Sequence, residues 1–202
     1  MQITTELGGC EATYLALEAR ASKPYTAFVY EDRAEAERVQ RLLFDRDAGD
    51  VARGFARLAM IEGRPAGMLA CIPGDQLVKA RLKAALVLRK AGVFEAAGTA
   101  RRSSLAGQTL AKIAPDDFYL SRIAVAERHR GRGIAKDLLL HYEAEGRRLG
   151  ARRLVLEVSP THPGAVRLYE RAGFAITGGG EAEDAATHRR LVYHHMTKRL
   201  AG

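Results

Sequence analysis

Between positions 128 and 133 the chain reads Arg128-His129-Arg130-Gly131-Arg132-Gly133, with an apolar extended run before it and a helix-patterned run after it. Glycines at the entry to a helix let a phosphate come close to the backbone. The first free N–H groups of the helix then point at the anion, the helix dipole favours its charge, and nearby arginines add charge-assisted bonds. The same residues would also serve a plain strand-to-helix turn with solvated arginines. No Gly-Lys-Ser/Thr follows, so this is not a Walker loop, and the third glycine of a dinucleotide fingerprint is missing.

A second constellation lies further along. A short apolar run ends in Glu157-Val158, and His162-x-x-Ala165-x-x-Leu168-Tyr169-x-x-x-Gly173-Phe174 follows. The first loop is itself preceded by Arg122-Ile123-Ala124-Val125. Taken together and in this order, the two motifs resemble the GNAT superfamily of N-acetyltransferases. There a Gln/Arg-x-x-Gly-x-Gly/Ala loop follows a strand ending in a small apolar pair. A strand ending in Glu-Val then leads into Asn-x-x-Ala-x-x-Leu-Tyr-x-x-x-Gly-Phe. The close match covers residues 117–174.

The resemblance implies acetyl-CoA as co-substrate and an amine as acceptor. Backbone groups of Ile123, Ala124 and Val125 are expected to pair with the pantetheine arm, and N–H groups there to stabilise the oxyanion. Backbone N–H groups of the segment that carries Arg128, Arg130, Gly131, Arg132, Gly133, Ile134 and Ala135 are expected to hold the pyrophosphate. Tyr169 matches the tyrosine that protonates the departing thiolate, and Glu157 a glutamate that acts as general base. Each has a plainer reading: a packed ring for Tyr169, a structural carboxylate for Glu157. Tyr119 and Asp117 compete for the base role. His162 stands where the family has asparagine, and an imidazole cannot copy the paired donor and acceptor of an amide. His194 and His195 read as structural.

These residues need a strand at Phe118–Val125, a strong helix at Ile134–Leu149, a strand at Leu154–Val158 and a helix at Pro163–Ala172. Upstream, Ala12, Leu15, Ala16 and Ala19 have helical spacing within Glu11–Arg20, Tyr25–Tyr30 reads as extended, and Asp32 is placed to cap a helix running to Asp45. Phe55–Ile61 and Ala66–Ile72 flank a turn and read as a hairpin. Phe174–Thr177 and Leu191–Thr197 read as a final strand pair, with Gly178-Gly179-Gly180 and the acids Glu181, Glu183 and Asp184 in the loop between them. The fold class expected is α/β, a GNAT-like mixed and mostly antiparallel sheet flanked by helices, with a helical insertion before the central strand.

With 202 residues, 47% hydrophobic and 28% charged, the chain has the make-up of a globular protein of one domain, and disorder is excluded. No run approaches the ~20 apolar residues of a membrane span. Met1–Gly9 lacks the charged and apolar regions of a signal peptide. Cys10 and Cys71 are too few for a disulfide framework, which points to a cytoplasmic protein with reduced thiols, and no zinc-ligand spacing occurs.

The net charge of +8 sits almost wholly in residues 76–114, where eight basic residues face only Glu95. There Val78, Leu82, Ala85 and Leu86 form an apolar stripe on an expected helix from Gln76 to Gly92, and a weaker helix is expected at Arg102–Ile113. This basic insertion is expected to cap the acceptor cleft or to form a homodimer contact. The alternatives to acetyl transfer are an acyl-CoA-binding regulator without turnover and, less favoured, a nucleic-acid-binding module.

Overall fold

Seven strands form one sheet in the order β1-β2-β3-β4-β5-β7-β6. In the computed structural model, which describes residues 1–95 and 98–200, the chain runs β1 (Gln2–Thr4), α1 (Glu11–Ala21), α2 (Lys23–Val29), α3 (Arg33–Asp45), β2 (Ala56–Ile61) and β3 (Arg64–Pro73). It continues through α4 (Gly74–Lys90), α5 (Thr99–Gln108), β4 (Asp117–Val125), α6 (Ile134–Arg148), β5 (Arg153–Val158), α7 (Pro163–Arg171), β6 (Ala175–Asp184) and β7 (Arg189–Arg199). Only β4 and β5 pair in parallel, with α6 crossing between them; the other pairs are antiparallel. The expected fold class is the one observed.

Strand alternation sorts the core into layers, because successive side chains of a strand face opposite ways. Leu69, Cys71, Phe118, Leu120, Leu154 and Leu156 pack against Leu138, Leu139 and Tyr142 of α6. Leu58 and Met68, on the other face, pack against Tyr14 and Leu17 of α1 and Phe44 of α3. A third cluster joins Phe28 and Val29 of α2, Val39 of α3 and Ala106 of α5 to Ala182 and Leu191 of β6 and β7. It holds the helical insertion onto the far end of the sheet.

Several expectations need correction. Tyr25–Val29 is helical, not extended. Pro24 sits in the first turn of α2, where its missing N–H costs nothing. The buried face of α1 is Tyr14, Leu17 and Glu18, not the stripe through Ala12 and Ala16, because Glu18 goes inside against Arg122. Leu149 is exposed at the end of α6. Gly178-Gly179-Gly180 lies within β6, not in a loop. Two of the three nearby acids are already partnered, Glu181 with Arg190 at 2.6 Å and Asp184 with Arg101 at 2.7 Å.

The capping expectation holds. Asp32 Oδ1 accepts from the Glu35 N–H at 2.8 Å, and the Glu35 carboxylate accepts from the Glu31 N–H at 2.9 Å. The insertion is helical, but residues 96 and 97 lie outside the described ones. Its basic side chains largely bind the chain itself. Arg81 pairs with Asp50, Lys83 donates to the Asp47 carbonyl, and buried Arg102 donates to the Val29 carbonyl and pairs with Glu31. Of the apolar stripe, Val78, Leu82 and Leu86 face outward, 76%, 61% and 51% exposed. Ala85 instead joins Arg81, Ala84 and Leu88 on a face of α4 that lines the main cavity.

Candidate active site

The site begins where the sheet comes apart. β4 and β5 pair only from Asp117/Arg153 to Leu120/Leu156. At the next residue, Ser121, β4 carries a bulge: Cys71 of β3 faces Leu120, while Ala70 faces Arg122. A bulge adds a residue on one strand and bends it. β4 therefore stays on β3 through Val125 but leaves β5, and one edge of residues 121–125 has no neighbouring strand. At the closed end, the Tyr142 hydroxyl of α6 donates to the Phe118 carbonyl and accepts from the Val155 N–H at 3.2 Å. That contact ties the strands together just below the point where they diverge.

The mouth of the opening is the glycine loop. Gly131 and Gly133 have φ of 75° and 81°, the left-handed region that glycine adopts without cost, and a Cβ at either would meet nothing within 4 Å. Gly133 is the N-cap of α6 and no side chain caps the helix. The first backbone bond inside it is Asp137 N–H to the Gly133 carbonyl at 3.1 Å. The N–H groups of Ile134, Ala135 and Lys136 therefore lack intrahelical partners, as in any helix start. Unfilled donors, no Cβ and a helix N-terminus in an open concavity fit the pyrophosphate of acetyl-CoA. The Arg128 side chain turns away, donating to the Pro65 carbonyl at 3.4 Å.

A cavity of about 960 Å³ runs from this mouth into the protein. It is lined by Ile123, Ala124, Val125, Arg130, Ala135, Glu157, His162 and Tyr169. Gly131, Gly133 and Ile134 line a neighbouring groove between α6 and α7, which shares Val125, Arg130 and Ala135 with the cavity. Of the residues singled out in the sequence, Arg128 and Arg132 line neither.

Deep in the cavity, Glu157 is held by two uncharged donors. Tyr119 Oη donates to its Oε2 at 2.6 Å, and the Ala111 N–H donates to its Oε1 at 2.8 Å. Burial raises the Glu157 pKa above the usual glutamate value, against the pull of these two bonds and of the Arg81 charge. Tyr119, expected as a rival base, is instead the partner of Glu157, and burial keeps its phenol protonated. Asp117, the other rival, lies at the closed end of β4. It holds Arg153 through two bonds of 2.8 Å and accepts the Ala114 N–H at 2.7 Å.

Tyr169 packs edge-on against Phe174, with ring centres 6.1 Å apart, and its hydroxyl bonds no described residue. Burial alone raises its pKa. His162 caps α7 without a side-chain bond, and Tyr169 follows from that helix start. His194 and His195 do not line the cavity. His195 Nε2 instead meets the Thr109 carbonyl at 2.7 Å.

The sequence did not disclose three parts of this site. Ala111, at the exit of the insertion, reaches Glu157 because Thr109 lies directly on β6. A Cβ at Gly180 would sit 2.3 Å from the Thr109 carbonyl oxygen. Two partly buried ion pairs complete the walls. Arg81 grips Asp50 through Nε at 3.1 Å and Nη2 at 2.9 Å, and Arg122 Nε meets Glu18 Oε1 at 3.3 Å. Burial raises the Glu18 carboxyl to about 6 despite Arg122. An acid on a helix face otherwise poor in charge was the one available hint for Glu18. Asp50 and Arg81 carried no signal, since their partnership depends on the fold.

The site thus consists of a splayed parallel strand pair with an unfilled helix N-terminus at its mouth. The model of the acetyltransferase (GNAT) family matches residues 16–174, and the chain belongs to that family. Streptothricin acetyltransferase of Streptomyces lavendulae is 43% identical over 56 residues, 28% of this chain. The matched stretch spans 30% of that protein's length. An N-acetyltransferase from Staphylococcus aureus Mu50 shares the fold, with TM-score 0.71 and 17% identity over 98% of this chain and 100% of its own. So does a ribosomal-protein-alanine N-acetyltransferase from Brucella melitensis, with TM-score 0.59 and 19% identity over 99% and 100%. Among the described residues, no helix is long and apolar enough to cross a membrane.

Proposed function

We propose that this protein transfers an acetyl group from acetyl-CoA to an amine by direct attack, with Glu157 as proton acceptor and Tyr169 as proton donor. The observation that carries the proposal is the position of Glu157. It is a partly buried carboxylate bonded only by neutral donors, in the cavity that also contains the unbonded Tyr169 hydroxyl and continues to the α6 N-terminus. Acetyl-CoA supplies the thioester carbon, so the new N–C bond forms as the C–S bond breaks.

The residues divide the remaining work. The free edge of β4 at Ile123–Val125 offers backbone groups to the extended arm and an N–H to the carbonyl oxygen. Glu157 takes a proton from the ammonium, since an amine must be neutral to attack. After attack the nitrogen sheds its second proton to solvent, and Tyr169, protonated throughout the neutral range, gives its proton to the thiolate and regains one from solvent. The net products are an amide, a free thiol and one proton. Neither Cys10 nor Cys71 lines the cavity, and burial raises the Cys71 thiol, which favours direct attack over an acyl-enzyme. Two free thiols and the use of acetyl-CoA favour a reducing, cytoplasmic setting.

The test is release of free CoA thiol from acetyl-CoA across an amine panel, alongside calorimetric titration of acetyl-CoA. Binding with turnover is the expected result. Binding without turnover on any amine would make the protein an acyl-CoA-binding regulator.

A further inference from the structure

The acceptor end of the cavity carries its own record of charge. Five charged side chains line it away from the mouth: Glu18, Asp50, Arg81, Arg122 and Glu157. Four of them are spent on one another. Asp50 holds Arg81 through both oxygens, and Arg122 faces Glu18. The two other cationic lining residues lie toward solvent: Arg20 pairs with Glu127, and Arg130 belongs to the glycine loop. Among the described residues that line the cavity, Glu157 is left as the one carboxylate without a cation bonded to it; its partners are a phenol and a backbone N–H.

The far wall has no charge to offer. Along α4, Arg81, Ala84, Ala85 and Leu88 share the cavity-facing side, so the lining changes from charged to apolar over seven residues, ~10 Å of helix. Phe94, Leu110, Tyr25 and Tyr193 line the same cavity. An unpaired charge entering this end would lose its hydration with no partner to replace it.

Resting on the acetyl-transfer reading, we propose that the acceptor is a small primary amine with a single positive charge and an uncharged, apolar body. Its nitrogen lies at Glu157 and its body along the Arg81–Leu88 face of α4. Diamines, polyamines, amino acids and peptide N-termini are selected against, because each brings a second charge or a polar body to the apolar end. The similarity to streptothricin acetyltransferase does not bear on this choice. A match of 56 residues cannot span a chamber whose walls come from positions as far apart as Tyr25 and Tyr193.

The test compares amines of one length that differ only at the far end: pentylamine, 1,5-diaminopentane and 5-aminopentanoate. 2-Phenylethylamine and an alanine-headed hexapeptide complete the set. CoA release by the purified full chain should show kcat/KM at least tenfold higher for pentylamine and 2-phenylethylamine than for the other three. Arg81→Gln frees the Asp50 carboxylate and should raise the diamine-to-pentylamine ratio of kcat/KM at least fivefold, a change of selectivity that general damage would not produce. Equal or better use of the diamine, the amino acid or the peptide by the unmodified protein overturns the inference while acetyl transfer stands. An unchanged ratio in a folded Arg81→Gln variant also overturns it. Acetyl-CoA binding without release on any of these amines removes acetyl transfer, and the inference with it.

Discussion

The two ends of the cavity are built by different means. The proposed CoA end, β4 to α7, is made of backbone: two glycines at positive φ, an uncapped helix start, a bulge and a strand edge with no neighbouring strand among the described residues. The acceptor end is made of side chains drawn together from remote parts of the chain. Arg122 reaches Glu18 across 104 positions, the Ala111 N–H reaches Glu157 across 46, and Arg81 reaches Asp50 across 31. Backbone devices demand particular residue types at fixed local spacing, whereas long-range side-chain pairs demand only that the fold bring them together. The first end can thus keep one ligand while the second varies its acceptor.

If the ends are separable, damage to one should spare the other. A first expected effect is at the loop. Gly131→Val places a β-branched residue at φ 75°, which costs about 1–2 kcal/mol, and puts methyl groups into the open concavity. The backbone N–H groups should then lose the anion, and calorimetry should show acetyl-CoA affinity reduced by roughly tenfold or more. Val78→Asp, on the exposed face of α4, should leave that affinity unchanged. Loss of CoA binding in a folded Val78→Asp protein would break the separation.

Tyr169→Phe keeps the ring against Phe174 and removes the hydroxyl. Turnover should fall, toward the lower part of the ~10²–10⁴ range for a lost general acid, with acetyl-CoA affinity preserved. A free thiol has a pKa near ~8.5, so the leaving group needs only modest help. Wild-type turnover at every pH would reduce Tyr169 to packing.

Gly180→Ala reaches the acceptor end through its scaffold. The new Cβ meets the Thr109 backbone at 2.3–2.7 Å, so the exit of the insertion must move and carry the Ala111 N–H away from Glu157. Losing a donor to the charged form should raise the Glu157 pKa further and shift the acid limb of the rate profile to higher pH. An unshifted limb would show that the insertion only covers the cleft.

A further effect concerns stability. The folded-state pKa of Glu18, about 6, lies above its ordinary value of 4.5, so the folded chain holds the extra proton in that window. The contribution is complete below pH 4.5 and is lost as pH rises through 6, about 2 kcal/mol in all. Denaturant unfolding of Glu18→Gln should therefore gain about that much relative to wild type between pH 4.5 and 6.5. A constant difference across the range would contradict the burial of this acid.

The same contrast explains what the sequence disclosed. Gly131 and Gly133 stood out because the backbone needs glycine at a helix entry, Glu157 and Tyr169 because they match positions of a family motif, and the strands and helices around them are observed within a residue or two of the expected bounds. The acceptor end was largely illegible. Aromatic residues at 25–30 suggested a strand, yet their burial against α3 and β7 favours a helix. The glycine run suggested a loop, yet it serves close approach of Thr109 to a strand. Burial of Glu18 inverted the apparent face of α1.

The central claim, that Glu157 accepts the amine proton inside the splayed β4/β5 pair, is tested most directly by the pH–rate profile of Glu157→Gln on one good acceptor. Tyr119, Arg81, Asp50 and the Ala111 N–H all face this carboxyl. For wild type, kcat/KM should rise with pH through an inflection above the ordinary glutamate range of about 4.5, as the base ionises. Glu157→Gln should lose on the order of 10²-fold or more at neutral pH and recover part of it at high pH, where the amine arrives already neutral. A profile depressed equally at every pH, or one matching wild type, would contradict the assignment.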